Sequence, residues 1–466
     1  VLDSAPVKLV VVVDGGGRLL RTIVDGDLRR ALLAGAALDS PIGGVPGRAP
    51  IYFAQGTDDG ELACALSVRD NINAIVLVDD DGCPVEIKGR ADLQLNVPPP
   101  PSHRSVRSGD AQRVPADKGV VLSGSSLSAF EHRLQLVSGC GHALALSSRT
   151  AALHLALQIL GAGAGRRVYL SDLTPAAALL PILYQGATPV LIDSEPDTWA
   201  MSPGGLQRRL ERDAASGDLP AAIIVAHLYG QPANMSAIMA LANGMGVPVI
   251  GDAAESLGSR YMDQPIGAQG HMSVYSFDDD MIVTASGGGA LVSDCEDLIS
   301  RGRMLSTQGR ELAGHYQHSE IAYDYGMSAV LAGVGLGEIA LLEDRVERRR
   351  AIFDRYVSAL GMLPGLSFQV ETPGGRGNRW STVVTFDPDH FLRHPFQLLR
   401  ALRILSRPAY KPMHMQPLCA GFDFEPHSET ENVSSRLFLQ SLCLPSGSDL
   451  SEAEQDRIIR IVRQFA

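Results

Sequence analysis

The chain has 466 residues, 45% of them hydrophobic and 20% charged, which is the make-up of an ordinary globular protein with room for two or three domains and a large core. A formal net charge of −12 argues against a nucleic-acid partner, because counterion-driven binding needs a basic face. No apolar run approaches the roughly 20 residues that cross a bilayer, and no cleavable leader pattern opens the chain. A cytoplasmic protein without a membrane partner is therefore expected. Six cysteines (Cys64, Cys83, Cys140, Cys295, Cys419, Cys443) lie far apart with no C-x-x-C pair, the pattern of reduced, mostly buried thiols rather than of disulfides or a metal site.

The first 95 residues read as a small module. Lys8–Val13 is β-branched, Asp14-Gly15-Gly16-Gly17 turns, Leu19–Val24 returns as a strand, and Asp27–Leu33 has helical spacing. Ala74–Val78 followed by Asp79-Asp80-Asp81-Gly82 echoes the first turn, so an internal repeat is expected. The run Gly17–Leu33 resembles one half of a CBS (cystathionine-β-synthase) domain pair. That resemblance implies an adenine nucleotide as partner and Asp27 as the carboxylate on its ribose. Val24 and Glu86 depart from the pattern, and a purely structural or dimerising module is an equal reading. Asn96-Val97-Pro98-Pro99-Pro100-Pro101 and the polar run after it, residues 96–118, form a semi-rigid linker.

Beyond the linker, helical and strand patterns alternate. Ala151–Leu160 is helical; Arg167–Leu170, Thr188–Asp193, Ala221–Ala226 and Val247–Asp252 are short apolar strands. Helices between such strands predict an α/β fold with a mostly parallel sheet covered on both faces. Its ligands belong at the carboxyl ends of the strands, where Asp252 and the loop after Tyr275 fall. From Glu343 an arginine-rich helix leads into a smaller α/β domain, giving a large domain over 119–342 and a small one over 343–466. The charge run Asp344–Arg350 reads as a solvated helix face.

Four ordered blocks resemble the DegT/DnrJ/StrS sugar aminotransferases: Ser147–Leu157, His227–Pro232, Gly251–Gly258 and Arg407–Pro417. A fifth, Tyr275–Thr284 followed by Ser286-Gly287-Gly288-Gly289, resembles the block around the cofactor lysine of that family, with Met281 in the lysine's place. The resemblance implies the aspartate-aminotransferase fold, a homodimer with shared sites, pyridoxal phosphate (PLP) as the usual cofactor and a nucleotide sugar as the ligand class. It also implies roles: Asp252 on the pyridine nitrogen, Thr150 and Ser276 on the phosphate, and Tyr229, Lys411 and His414 near the substrate. Thr150 equally suits a helix N-cap.

Several positions depart from the family. Arg149 replaces a glycine beside the phosphate, Pro175 stands where an aromatic ring would stack, and Asp324 replaces an asparagine that would reach the neighbouring subunit's phosphate. A thioether at 281 can neither form a Schiff base nor move a proton. The leading expectation is thus a degenerate homologue that binds no cofactor in this form and serves as a binding or regulatory subunit in sugar-nucleotide or glycan biosynthesis. Two alternatives stay open. One is an active PLP-dependent aminotransferase carrying an engineered Lys-to-Met change at 281. The other is PLP-independent chemistry using Asp278-Asp279-Asp280, a run that otherwise reads as a solvated acidic turn.

Overall fold

The computed structural model describes residues 9–24, 31, 52–57, 62, 74–89, 125–311, 315–391, 395, 397–398 and 406–465. The contacts divide the chain into two units, Val1–Pro100 and Pro101–Ala466. Asp27 and the whole of 96–118 lie outside the described residues.

In the first unit β1 (Leu9–Val13) and β2 (Leu19–Val24) form an antiparallel hairpin. β3 (Tyr52–Ala54) runs parallel to β4 (Ala74–Val78), which pairs antiparallel with β5 (Pro84–Gly89). The two hairpins turn by the same chemistry. Asp14 Oδ1 accepts from the N–H groups of Gly16 (2.8 Å) and Arg18 (2.9 Å), and Asp79 Oδ1 accepts from Asp81 (3.0 Å) and Cys83 (2.8 Å). Each turn closes on a glycine at φ 83° or 81°, Gly17 and Gly82, where a side chain would be strained. The echo between the two segments is thus present in their turns.

The second unit is built on an eight-stranded sheet. In chain order its main elements are α1 (Ser125–Ser138), β6 (His142–Leu146), α2 (Arg149–Ile159), β7 (Arg167–Ser171), α3 (Ala176–Tyr184), β8 (Thr188–Ile192), α4 (Pro203–Ala215), β9 (Ala222–Ala226), α5 (Met235–Gly244) and β10 (Val249–Asp252). The short pair β11 (Arg260–Tyr261) and β12 (Gln264–Pro265) precedes β13 (Met272–Ser276), β14 (Gly289–Ser293), α6 (Glu296–Ser306), α7 (Ala329–Ile339) and α8 (Leu342–Leu360). Spatial order from one edge is a late strand, Asp423–Glu425, then β8, β7, β9, β10, β13, β14 and β6, and only β14 runs against the rest. The parallel sheet expected from the sequence is observed.

Because side chains alternate across a strand, the two faces hold separate cores. Ile223 and Val225 of β9 pack with residues of α1, α4, α5 and α7, whereas Ala222 and Ile224 pack with residues of α2, α3 and α6. A third core joins α8 to the C-terminal helix (Glu452–Phe465) over a four-stranded antiparallel sheet formed by Leu366–Phe368, Thr382–Phe386, Ser441–Leu444 and Arg407–Pro408. Among the described residues no helix is long and apolar enough to cross a membrane, and the described cysteines are all free, with Cys295 exposed.

The arginine-rich stretch of α8 is not a solvated face. Arg349 is 1% exposed and donates to the Trp380 carbonyl (2.7 Å) and to Ser448 Oγ (3.2 Å). Burial, with Arg345 nearby, lowers its pKa to about 9. Arg345 pairs with Glu338 and holds the Ile282 carbonyl (2.8 Å), and Arg350 pairs with Glu371 (2.7 Å). The run reads as solvated only because its partners lie in other elements.

Candidate functional site

Parallel strands bring their carboxyl ends to one edge. There β10 ends in Asp252, His227 follows β9, Asp172 and Thr174 follow β7, and Arg149 opens α2 after β6. Ser148 caps α2: its side chain accepts from the Ala151 N–H (3.0 Å). Thr150 is therefore the second helical residue and not the N-cap. The turn is tight because β14 lies against it, and a Cβ on Gly289 would sit 2.4 Å from Arg149 N.

Arg149 is 7% exposed and Asp252 3%. A guanidinium NH2 of Arg149 donates to Asp252 Oδ2 in a buried ion pair. Burial alone would lower the Arg149 pKa, and the Asp252 and Glu255 carboxylates more than reverse that, so the arginine stays charged. The pair forms one wall of a cavity also lined by Thr174, Pro175, His227 and Glu255, with about 10 Å³ of room, enough for about one water. Three buried atoms there have no hydrogen-bond partner among the described residues: Arg149 Nε, Thr174 Oγ1 and His227 Nε2. The Ala233 N–H donates to His227 Nδ1 (3.2 Å), so the ring hydrogen sits on Nε2. Burial holds the His227 pKa down at about 3.

Glu255 is the hub of the far wall. It accepts from the Tyr229 N–H (2.6 Å) and the Tyr410 hydroxyl (2.7 Å). Burial raises its pKa to about 7, against the pull of Tyr410 and of the Arg149 and Arg407 charges. Tyr229 and Tyr410 stack with centroids 5.3 Å apart, and the Tyr410 N–H donates to the Tyr229 hydroxyl (2.9 Å). Arg407 lies over the rings of Trp380 (4.7 Å) and Tyr410 (5.5 Å), a geometry in which a cation is attracted by the ring faces.

Arg149, Asp252 and Pro175 are thus gathered in one cavity, while Thr150, Tyr229, Ser276, Met281, Asp324, Lys411 and His414 are not part of its lining. Met281 is 6% exposed within the apolar core, in the loop after β13. Ser276 ends β13 and donates from Oγ to Asp278 Oδ2 (2.7 Å). Asp278 and Asp279 are exposed, and the Asp280 carbonyl accepts from Trp380 Nε1 (2.7 Å). Among the described residues no group of three or more His, Cys, Asp or Glu could hold a metal ion. Asp324 is exposed and Lys411 half-buried.

His414 is tied into the scaffold. Its Nδ1 is 2.7 Å from Asp172 Oδ2 and its Nε2 3.0 Å from Ser435 Oγ, the spacing of a Ser-His-Asp triad. Asn432 Nδ2 also reaches Nε2 (3.2 Å), and the N–H groups of Ser434 and Ser435 are committed to Asp193 and Asn432. These bonds fasten the helix Val433–Gln440 and leave those two amides unavailable to an oxyanion. Glu255, His227 and Arg407 were not singled out from the sequence. All three sit in blocks whose order was legible, and closeness to a strand end was the only signal that marked two of them.

The family model described as the DegT/DnrJ/EryC1/StrS aminotransferase family matches residues 108–463. EpsN of Bacillus subtilis (strain 168), named as a pyridoxal phosphate-dependent aminotransferase, is 46% identical over 339 residues, 73% of this chain and 87% of that protein. GDP-perosamine synthase of Caulobacter vibrioides is 30% identical over 347 residues, 72% of this chain and 88% of its own. The crystal structure of a DegT DnrJ EryC1 StrS aminotransferase from Brucella abortus superposes with a TM-score of 0.70 at 29% identity, covering 77% of this chain and 94% of that one. The cofactor normal to such enzymes would set its pyridine against Asp252. As the side chains stand they do not fit that group, because the Arg149 guanidinium lies on the carboxylate and the cavity beside it holds about one water. With its sheet order, its strand-end carboxylate and a match over most of its length, the chain belongs to the DegT/DnrJ/EryC1/StrS aminotransferase family.

Proposed function

We propose that this protein is a non-transaminating member of the family that binds a nucleotide sugar and acts as a binding or regulatory subunit. Met281 carries the reading: it holds the place of the lysine on which amino transfer depends. Its loop follows β13, the neighbour of Asp252-bearing β10, and its side chain is packed into the apolar core. A methionine sulfur forms no bond to an aldehyde carbon and carries no proton to the substrate.

The ligand class follows from the groups left around the strand ends. Arg407 has a buried NH2 without a hydrogen-bond partner among the described residues, suited to a phosphate oxygen. Lys411, half-buried, is the proposed contact to the rest of a sugar nucleotide, with Tyr229 and His414 shaping the surroundings through their own bonds to Tyr410 and to Asp172 and Ser435, in keeping with relatives named GDP-perosamine synthase. A homodimer is proposed as the working unit, with exposed Asp324 reaching the neighbour. The N-terminal unit, with its twin turns, is proposed as the CBS-like regulatory part.

The test is calorimetric titration of the full chain with GDP-, UDP- and dTDP-hexoses, beside an assay for glutamate-dependent amination of a 4-keto nucleotide sugar with added PLP. Binding without amination is expected. Glutamate-dependent amination by the unaltered protein would refute the proposal.

A further inference from the structure

The Arg149–Asp252 pair is hard to explain as ordinary stabilisation. Arg149 is the first residue of α2, and a cation in the first turn faces the positive end of the helix dipole. Nothing in the helix favours it. What holds it is Asp252, 103 residues away in sequence, with Glu255 adding to the field. The guanidinium is committed to that one carboxylate, and its Nε has no hydrogen-bond partner among the described residues. Among the described residues Asp252 Oδ1 has only the Ala254 N–H at 3.4 Å, so Arg149 is the principal neutraliser of the buried charge. The space beside Asp252 has room for about one water while the Arg149 side chain stays in place, too little for a ring.

We infer that Arg149 is a built-in occupant of the cofactor place: its guanidinium takes the Asp252 carboxylate that a pyridinium would need, so supplying an amine at position 281 does not by itself restore cofactor binding. This rests on the proposed reading that Met281 holds the lysine's place. It goes further by making Arg149 a specificity-determining residue in its own right. A cationic ring must first break a buried ion pair and find room for the displaced side chain. Stranding a buried charge weakens binding by about a hundredfold or more.

The experiment compares four full-length proteins, unaltered, Arg149→Gly, Met281→Lys and the double variant, each titrated with PLP. Borohydride trapping followed by peptide mass spectrometry reads covalent capture at position 281, and quenching of tryptophan fluorescence reads non-covalent binding. Melting temperature reports folding. Met281→Lys alone is expected to capture PLP at least about a hundredfold more weakly than the double variant. Arg149→Gly alone is expected to gain non-covalent binding. If Met281→Lys alone captures PLP as tightly as the double variant, Arg149 is no barrier and the inference is overturned, while the reading of Met281 stands. A folded double variant that captures nothing overturns the inference as well. Covalent capture by the unaltered protein would instead strike at the proposed function.

Arg149→Ala with added methylguanidinium supplies a second measurement should the glycine variant fail to fold. The free cation is expected to raise the melting temperature of that variant and not of the unaltered protein. No rescue means that the carboxylate does not require a guanidinium, and the inference falls.

Discussion

Glu255→Gln should change how stability depends on pH, with a sign fixed by where the carboxyl sits. Glu255 is 5% exposed, and burial raises its pKa from 4.5 to about 7. Between those values the native state keeps a proton that the unfolded chain has lost. Its contribution to stability is therefore full below pH 4.5 and is lost as pH rises toward 7. At about 1.4 kcal/mol per pH unit the total is roughly 3 kcal/mol. His227 works in the opposite sense. Burial depresses its pKa from 6.5 to about 3, so its contribution is full above pH 6.5 and falls as the solution is acidified. Over pH 4.5 to 6.5 the two nearly cancel in the unaltered protein. The glutamine keeps an acceptor for Tyr410 and removes one arm of the balance. Urea unfolding at steps from pH 4 to 8 can be followed by tryptophan fluorescence, since the two tryptophans, Trp199 and Trp380, are both buried in the second unit. The difference curve, unaltered minus variant, should fall by roughly 3 kcal/mol between pH 4.5 and 7. A difference curve that is flat or rises with pH refutes the assignment of a protonated Glu255.

Two further outcomes follow from named contacts. Asp193 is fully buried and accepts from the N–H groups of Ser194, His427, Val433 and Ser434. Asp193→Ala strands these amides and should cost at least about 3 kcal/mol, with hydrogen exchange accelerating first across residues 427–440. Gly289→Ala sets a Cβ 2.4 Å from the backbone of Arg149 and Ser148. The start of α2 must then leave β14, so this variant should lose several °C of melting temperature by a mechanism that no side-chain trimming relieves; a melting temperature equal to that of the unaltered protein refutes the contact.

The sheet was legible because its strands are short apolar runs separated by helical spacing, and a run such as Val247–Asp252 fixes both the strand and the edge on which its last carboxylate sits. What was not legible is pairing across sequence. Arg149 was recognisable as a long side chain where a glycine belongs, yet nothing near it in sequence says that its charge ends on Asp252. The arginines of α8 were misread for the same reason: Arg349 finds the Trp380 carbonyl and Arg345 finds Glu338, and neither partner lies on α8. The capping error is a smaller instance, since Ser147-Ser148-Arg149-Thr150 offers three hydroxyls within four residues and only the backbone geometry selects Ser148. In each case the residue type was informative and its partner was not, because a charge or a hydroxyl takes its meaning from whatever the fold brings within 3 Å. A strand's burial, by contrast, is written in its own residues. Arg149 is therefore the position where reading by resemblance and reading by structure differ most in content: the first says that a long side chain stands where the family has a glycine, and the second says that its charge rests on Asp252.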